Sequence, residues 1–112
     1  MKNFIIEHDA NKRDTGIIPQ SDSIYNIILA ASVEKTVTVP SGANLALFAA
    51  TGNFYCKMND TVEVPSVDII DGSGGELNPG ARVVTSTTII HLIAQYATVV
   101  TIAFYNVPYP LA

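Results

Sequence analysis

The sequence predicts an all-β domain of the sandwich, jelly-roll or small-barrel type. Three observations predict it. β-Branched and aromatic residues recur along most of the chain, the composition that suits a pleated, half-buried surface. Turn residues interrupt them at intervals of roughly eight to twelve positions, as in antiparallel folds of many short strands. Apolar residues nowhere keep a helical spacing long enough to define an amphipathic helix. At 112 residues and 12.0 kDa, the chain has the size of one domain and lacks the bulk for two independent cores.

Each element follows from local pattern. Residues 24–31 contain the strand text Ile-Tyr-Asn-Ile-Ile-Leu. In residues 34–39, Val37 and Val39 alternate with Thr36 and Thr38, and Pro40-Ser41-Gly42 then forces a turn. Residues 44–51 stop at Gly52-Asn53, residues 54–58 at Asn59-Asp60, and residues 61–64 at Pro65; each is read as a short strand. Residues 67–70 run into Asp71-Gly72-Ser73-Gly74-Gly75, which reads as a surface loop because glycine adopts positive φ at no steric cost. Beyond the turn signal Asn78-Pro79-Gly80 come strands at 81–85, 88–94 and 98–105. The last two are expected to be the long central ones, and the apolar character of residues 89–94 on both faces is that of a strand covered on two sides. The count is seven or eight strands.

Both ends differ from the middle. Asp9 to Gly16 is a polar linker that sets the small apolar group Phe4-Ile5-Ile6 apart. Residues 106–112 carry Pro108 and Pro110, whose fixed φ and missing N–H favour an extended segment over a central strand, with Tyr109 and Leu111 as anchors. The expected organisation is an N-terminal arm at 1–15, a β domain at 16–105 and a C-terminal arm at 106–112.

Charge narrows the function. Six Lys and Arg against ten Asp and Glu leave a net charge of −4, without the basic footprint that nucleic acid or an acidic lipid surface requires. Polar residues interrupt every apolar run well short of the ~20 residues that span a bilayer, so neither membrane nor nucleic acid is expected as a partner. With one Cys and no leader pattern in the first 20 residues, a reducing cytoplasm is the expected site of synthesis. Seven of the sixteen charged residues fall within the first 22 positions, and residues 83–112 contain none. A small domain must present much of its chain to its surroundings, so part of this surface is expected to face other protein rather than water. Phe4, Ile5, Ile6, Tyr96, Tyr105, Tyr109 and Leu111 are the candidate contact residues, because tyrosine suits surfaces wet in one state and packed in another.

No catalytic set is legible. His8 lies in the expected arm; His91 lies in an apolar strand and needs an orienting partner from elsewhere in the fold, so a satisfied structural histidine is the simpler reading. Cys56 and Lys57 are adjacent in a strand and therefore point to opposite faces, which makes the thiol a buried, inert one. Two separate histidines and one cysteine lack zinc spacing, and the acidic segment Asp68 to Glu76 lacks the spacing of an EF-hand calcium loop. No catalytic, metal or cofactor-binding residue is assigned. Asn53, Tyr55, Asn59 and Asp60 form the nearest thing to a sugar-binding cluster.

The stretches Thr38-Val39-Pro40-Ser41-Gly42-Ala43-Asn44, Phe48-Ala49-Ala50-Thr51-Gly52-Asn53-Phe54-Tyr55, Val64-Pro65, Glu76-Leu77-Asn78-Pro79 and Thr101-Ile102-Ala103-Phe104-Tyr105 resemble the text of small structural proteins of tailed bacteriophages. The similarity spans residues 33–105. Length, all-β pattern and free ends are also similar to the staple-type decoration (cement) proteins of short-tailed phage capsids. This resemblance implies a jelly-roll-like β-sandwich with extended N- and C-terminal arms, which pairs with its own copy as a homo-oligomer, most simply a dimer. It further implies a virion protein on the outer capsid surface that clamps neighbouring major capsid subunits and needs no cofactor. A tail, neck or receptor-binding component, such as a jelly-roll glycan-binding module, is the alternative.

Overall fold

A computed structural model of the chain describes residues 1–8 and 10–108. It is all β, built from ten strands among those residues. A two-stranded ribbon pairs β1 (Glu7–His8) with β2 (Asp14–Ile17). The remaining eight are β3 (Ile24–Leu29), β4 (Lys35–Thr38), β5 (Leu45–Ala50), β6 (Tyr55–Met58), β7 (Glu76–Leu77), β8 (Ala81–Val83), β9 (Ile89–Ile93) and β10 (Thr98–Tyr105). They form two four-stranded antiparallel sheets in the orders β3-β10-β5-β8 and β4-β9-β6-β7. The pairs β3–β10, β4–β9, β5–β8 and β6–β7 nest inside one another, as if one long hairpin had been wrapped over itself. The result is a jelly-roll-like β-sandwich.

The strand pattern dictates which faces meet. Along β10, Val100, Ile102 and Phe104 are fully buried and alternate with more exposed residues, the two-residue period of a strand with one face inward. They meet Ile90, Leu92 and Cys56 from the opposite sheet, with Leu29, Ala46 and Phe54 completing the core. β9 and β10 are central, as expected. The turn after β4 is the predicted one: Ala43 N–H donates to the Pro40 carbonyl at 3.3 Å and Gly42 has φ +88°, a value that strongly favours glycine.

Four expectations are corrected. Residues 61–64 are not a strand: the Val62 N–H donates to a Glu34 carboxylate oxygen at 2.8 Å instead of to a neighbouring strand. The polar stretch 9–16 is not merely a linker, since its second half enters the β1–β2 ribbon. The boundary at residue 15 also moves. Phe4 N–H donates to the Asn106 carbonyl and Asn106 N–H to the Lys2 carbonyl, both at 2.8 Å, so residues 2–4 are strapped to the domain. Asn44 likewise holds Val107 through both its amide groups, which carries the ordered fold past residue 105. The molecule is elongated, 54 × 28 × 24 Å, with a radius of gyration of 15.7 Å against about 13 Å for a compact chain of this length.

Candidate interaction surfaces

The two sheets turn different chemistry outward. In the β3-β10-β5-β8 sheet, the register places Ile24, Asn26 and Ile28 beside Val99, Thr101 and Ala103, then Ala49, Leu47 and Leu45, then Ala81 and Val83, all opposite to the core. None is charged. Ile28 is 67% and Val83 60% exposed, and Ile24 and Val99 are also exposed. The polar pair on this face is mutually satisfied, because the Thr101 hydroxyl donates to Asn26 Oδ1 at 2.9 Å. Arg82, in the same sheet, points the other way and its guanidinium reaches Glu76 of β7, tying the two sheets together along one edge. The outer face is therefore apolar across four strands.

The β4-β9-β6-β7 sheet presents Thr36, His91 and Lys57 in one row across its outer face. Glu34 accepts from Val62 N–H at 2.8 Å and stands 3.1 Å from His91 Nδ1. Lys57 donates to the Ser73 carbonyl at 2.8 Å and pairs with Asp60 at 3.1 Å. These contacts hold residues 60–75 against the sheet, enclosing a cleft of about 620 Å³. Gly75 belongs to the same arrangement: a Cβ there would stand 2.6 Å from Val62 Cγ2, so no larger residue fits without displacing that side chain.

The carboxylates here are strained toward the charged form by their partners. The Val62 N–H, followed by His91, holds Glu34 below the ordinary carboxylate range; Lys57 does the same for Asp60, the Ser73 hydroxyl for Asp71 and Arg82 for Glu76. A carboxylate whose folded pKa is depressed stabilises the fold above its unfolded pKa, and that stability is lost as pH falls toward the folded value. The melting temperature should thus be nearly flat from pH 7 to about 5 and fall below about 4.5. Glu34→Ala strands the Val62 N–H and should cost about 1–2 kcal/mol in urea unfolding, with faster amide exchange in residues 60–75. Unchanged stability and exchange would show that the clamp is ornamental.

The expected contact residues are distributed unevenly. Ile5, Ile6 and Tyr96 are exposed, Tyr96 at 73% in the connection between β9 and β10. Tyr105 is withdrawn from the surface at 4% exposure: its hydroxyl donates to the Pro19 carbonyl at 2.9 Å and its ring meets the edge of Phe4 at 5.3 Å. Phe4, half-buried, is thereby engaged within the subunit. Tyr109 and Leu111 lie outside the described residues. Sequence reading missed Ile24, Ile28 and Val83, whose outward direction depends on sheet register. Of the sugar-like cluster, Asn53 and Tyr55 share a cleft of about 210 Å³ with Gln95, Tyr96 and Thr98, while Asn59 and Asp60 sit beyond the other end of β6.

His91 finds the orienting acid that sequence separation hides, Glu34, 57 positions away. Among the described residues, no serine, threonine or cysteine is hydrogen-bonded to it. Cys56 is buried, and desolvation, with Glu76 adding to it, pushes its thiol up to about 12, far from the range of a nucleophilic thiolate. No three His, Cys, Asp or Glu side chains among the described residues converge to hold a metal ion. What the surface offers in quantity is apolar, uncharged area. Compared with protein-family models, curated proteins and solved structures, the chain matches none.

Proposed function

We propose that this chain is a non-enzymatic virion protein that decorates the outside of a bacteriophage head and clamps neighbouring major capsid subunits. The observation that carries the reading is the uncharged outer face of the β3-β10-β5-β8 sheet, with Ile28 and Val83 mostly exposed. Exposed contiguous apolar surface of this kind marks contact with other protein. The resemblance of residues 33–105 to phage structural proteins supplies the kind of particle. Burial of apolar surface at about 25 cal/mol per Å², repeated at many weak sites on a lattice, makes avidity the source of strength.

The test uses heads that lack the decoration. Added protein should raise the temperature at which they release DNA, and Val83→Glu, which places a charge on the apolar face, should weaken head binding at least tenfold (about 1.4 kcal/mol) without altering the melting of the free protein. Heads no more heat-stable with the protein than without it would overturn the proposal.

One observation favours a second reading, recognition of a neutral glycan by a tail or receptor-binding component. The 210 Å³ cleft that Tyr55, Tyr96, Asn53 and Gln95 line contains no charged residue, and aromatic rings with amide side chains suit a sugar ring. A saccharide titration that perturbs Tyr96 while head binding is absent would put this reading first.

A further inference from the structure

The sandwich has four edge strands, and three of them are guarded. β4 is four residues long, begins at Lys35 and is followed by Pro40; β7 has two residues, one of them Glu76; β8 has three, centred on Arg82. Short length, charge and proline are the usual means by which an edge is kept from pairing with another chain. β3 has none of them. Its six residues, Ile24-Tyr25-Asn26-Ile27-Ile28-Leu29, contain no charge and no proline, and no charge occurs between Asp22 and Glu34.

Its hydrogen-bond phase is set by β10. Phe104 N–H donates to the Ser23 carbonyl at 3.0 Å, and in an antiparallel ladder the bonded residues alternate. Ser23, Tyr25, Ile27 and Leu29 therefore face β10, and Ile24, Asn26 and Ile28 turn their N–H and C=O groups to the open side. On the core side, Tyr25 and Ile27 pack against the core but are only half-buried.

We infer that β3 is the seat of a second copy of this chain, paired antiparallel to its own β3 so that two four-stranded sheets become one of eight strands. The open-side residues match themselves about a two-fold axis through Asn26: Ile24 opposes the partner's Ile28, Asn26 the partner's Asn26, and Ile28 the partner's Ile24. Each such pair exchanges two hydrogen bonds, so every outward donor and acceptor of the edge finds a partner. A second copy suits this edge better than a charged partner strand does. Each chain carries a charge of −4, yet the segments that meet are neutral, and Ile24 and Ile28 from each copy cover one another. This pairing deepens the assembly role proposed above but is decided on the purified protein, without heads.

Sedimentation equilibrium of the wild type at up to about 0.1 mM should give a dimer. Ile28→Lys, a change at a mostly exposed position, should give a monomer with unchanged circular dichroism. Cysteine substitution then reads the register. Paired Cα atoms about 5.5 Å apart lie within disulfide reach, so Asn26→Cys should cross-link to its own copy under oxidised glutathione. Ile28→Cys should not, since its copies stand roughly 14 Å apart. Buried Cys56 serves as the internal control in the wild type. A monomeric wild type, a dimer that survives Ile28→Lys, or cross-linking through Ile28→Cys but not Asn26→Cys would overturn the pairing. A dimer that fails to stabilise heads would leave the pairing standing and remove the capsid role.

Discussion

Phe104→Ala is expected to lower the unfolding free energy by about 3–5 kcal/mol, the usual range for deleting a buried aromatic ring. Phe104 is fully buried in the central strand β10 and meets the edge of the Tyr25 ring at 5.1 Å with an interplanar angle of 76°. Substitution removes both the transfer energy of the ring and its contact with Tyr25, and leaves a void between two sheets that are hydrogen-bonded on both sides of β10 and so close over it poorly. Urea unfolding should show a lower midpoint at unchanged slope. Val99→Ala, on the outer face of the same strand, is the contrast and should cost under about 1 kcal/mol. Equal losses at the two positions would mean that β10 does not separate a core face from a free one.

The second large effect is expected at the N-terminal strap. Phe4→Ala should cost about 2 kcal/mol, from lost apolar burial and the edge-on contact with Tyr105, or roughly 8–16 °C of melting temperature at the scale of a 60–100-residue domain. The variant should keep its β-sheet circular dichroism, because the strap lies outside both sheets. Shortening the ribbon between His8 and Asp14 should leave stability within about 0.5 kcal/mol, since β1 and β2 form a sheet of their own, separate from the two of the sandwich. If Phe4→Ala is as mild as the ribbon change, residues 2–4 belong with the arm after all.

How much could be read beforehand differs by residue. β10 was legible to its ends: Thr98 to Tyr105 is dense in β-branched and aromatic residues, and Asn106 and Pro108 follow it. The turn at Pro40 to Gly42 was equally plain, because proline and glycine act through their own φ preferences and need no tertiary partner. Residues 61–64 misled because Val62 has strand character, while its N–H is captured by a carboxylate 28 positions away. The β1–β2 ribbon was hidden for the opposite reason, being polar and short, with few residues that favour strands. Tyr105 looked like an anchor for a partner because a tyrosine in an uncharged region fits that role; the ring that covers it, Phe4, stands at the other end of the sequence.

The chain alone determined that this protein is built of short strands, where most of its turns fall, and that residues 83–112 carry no charge, because alternation and turn chemistry are local properties. Only the tertiary structure decided that the neutral residues of β10 join Ile24, Ile28, Leu45 and Val83 on one face while Glu34, His91, Lys57 and Asp60 collect on the other. That division depends on which strands pair and in which register, and a shift of one residue would turn each strand's side chains to the opposite side.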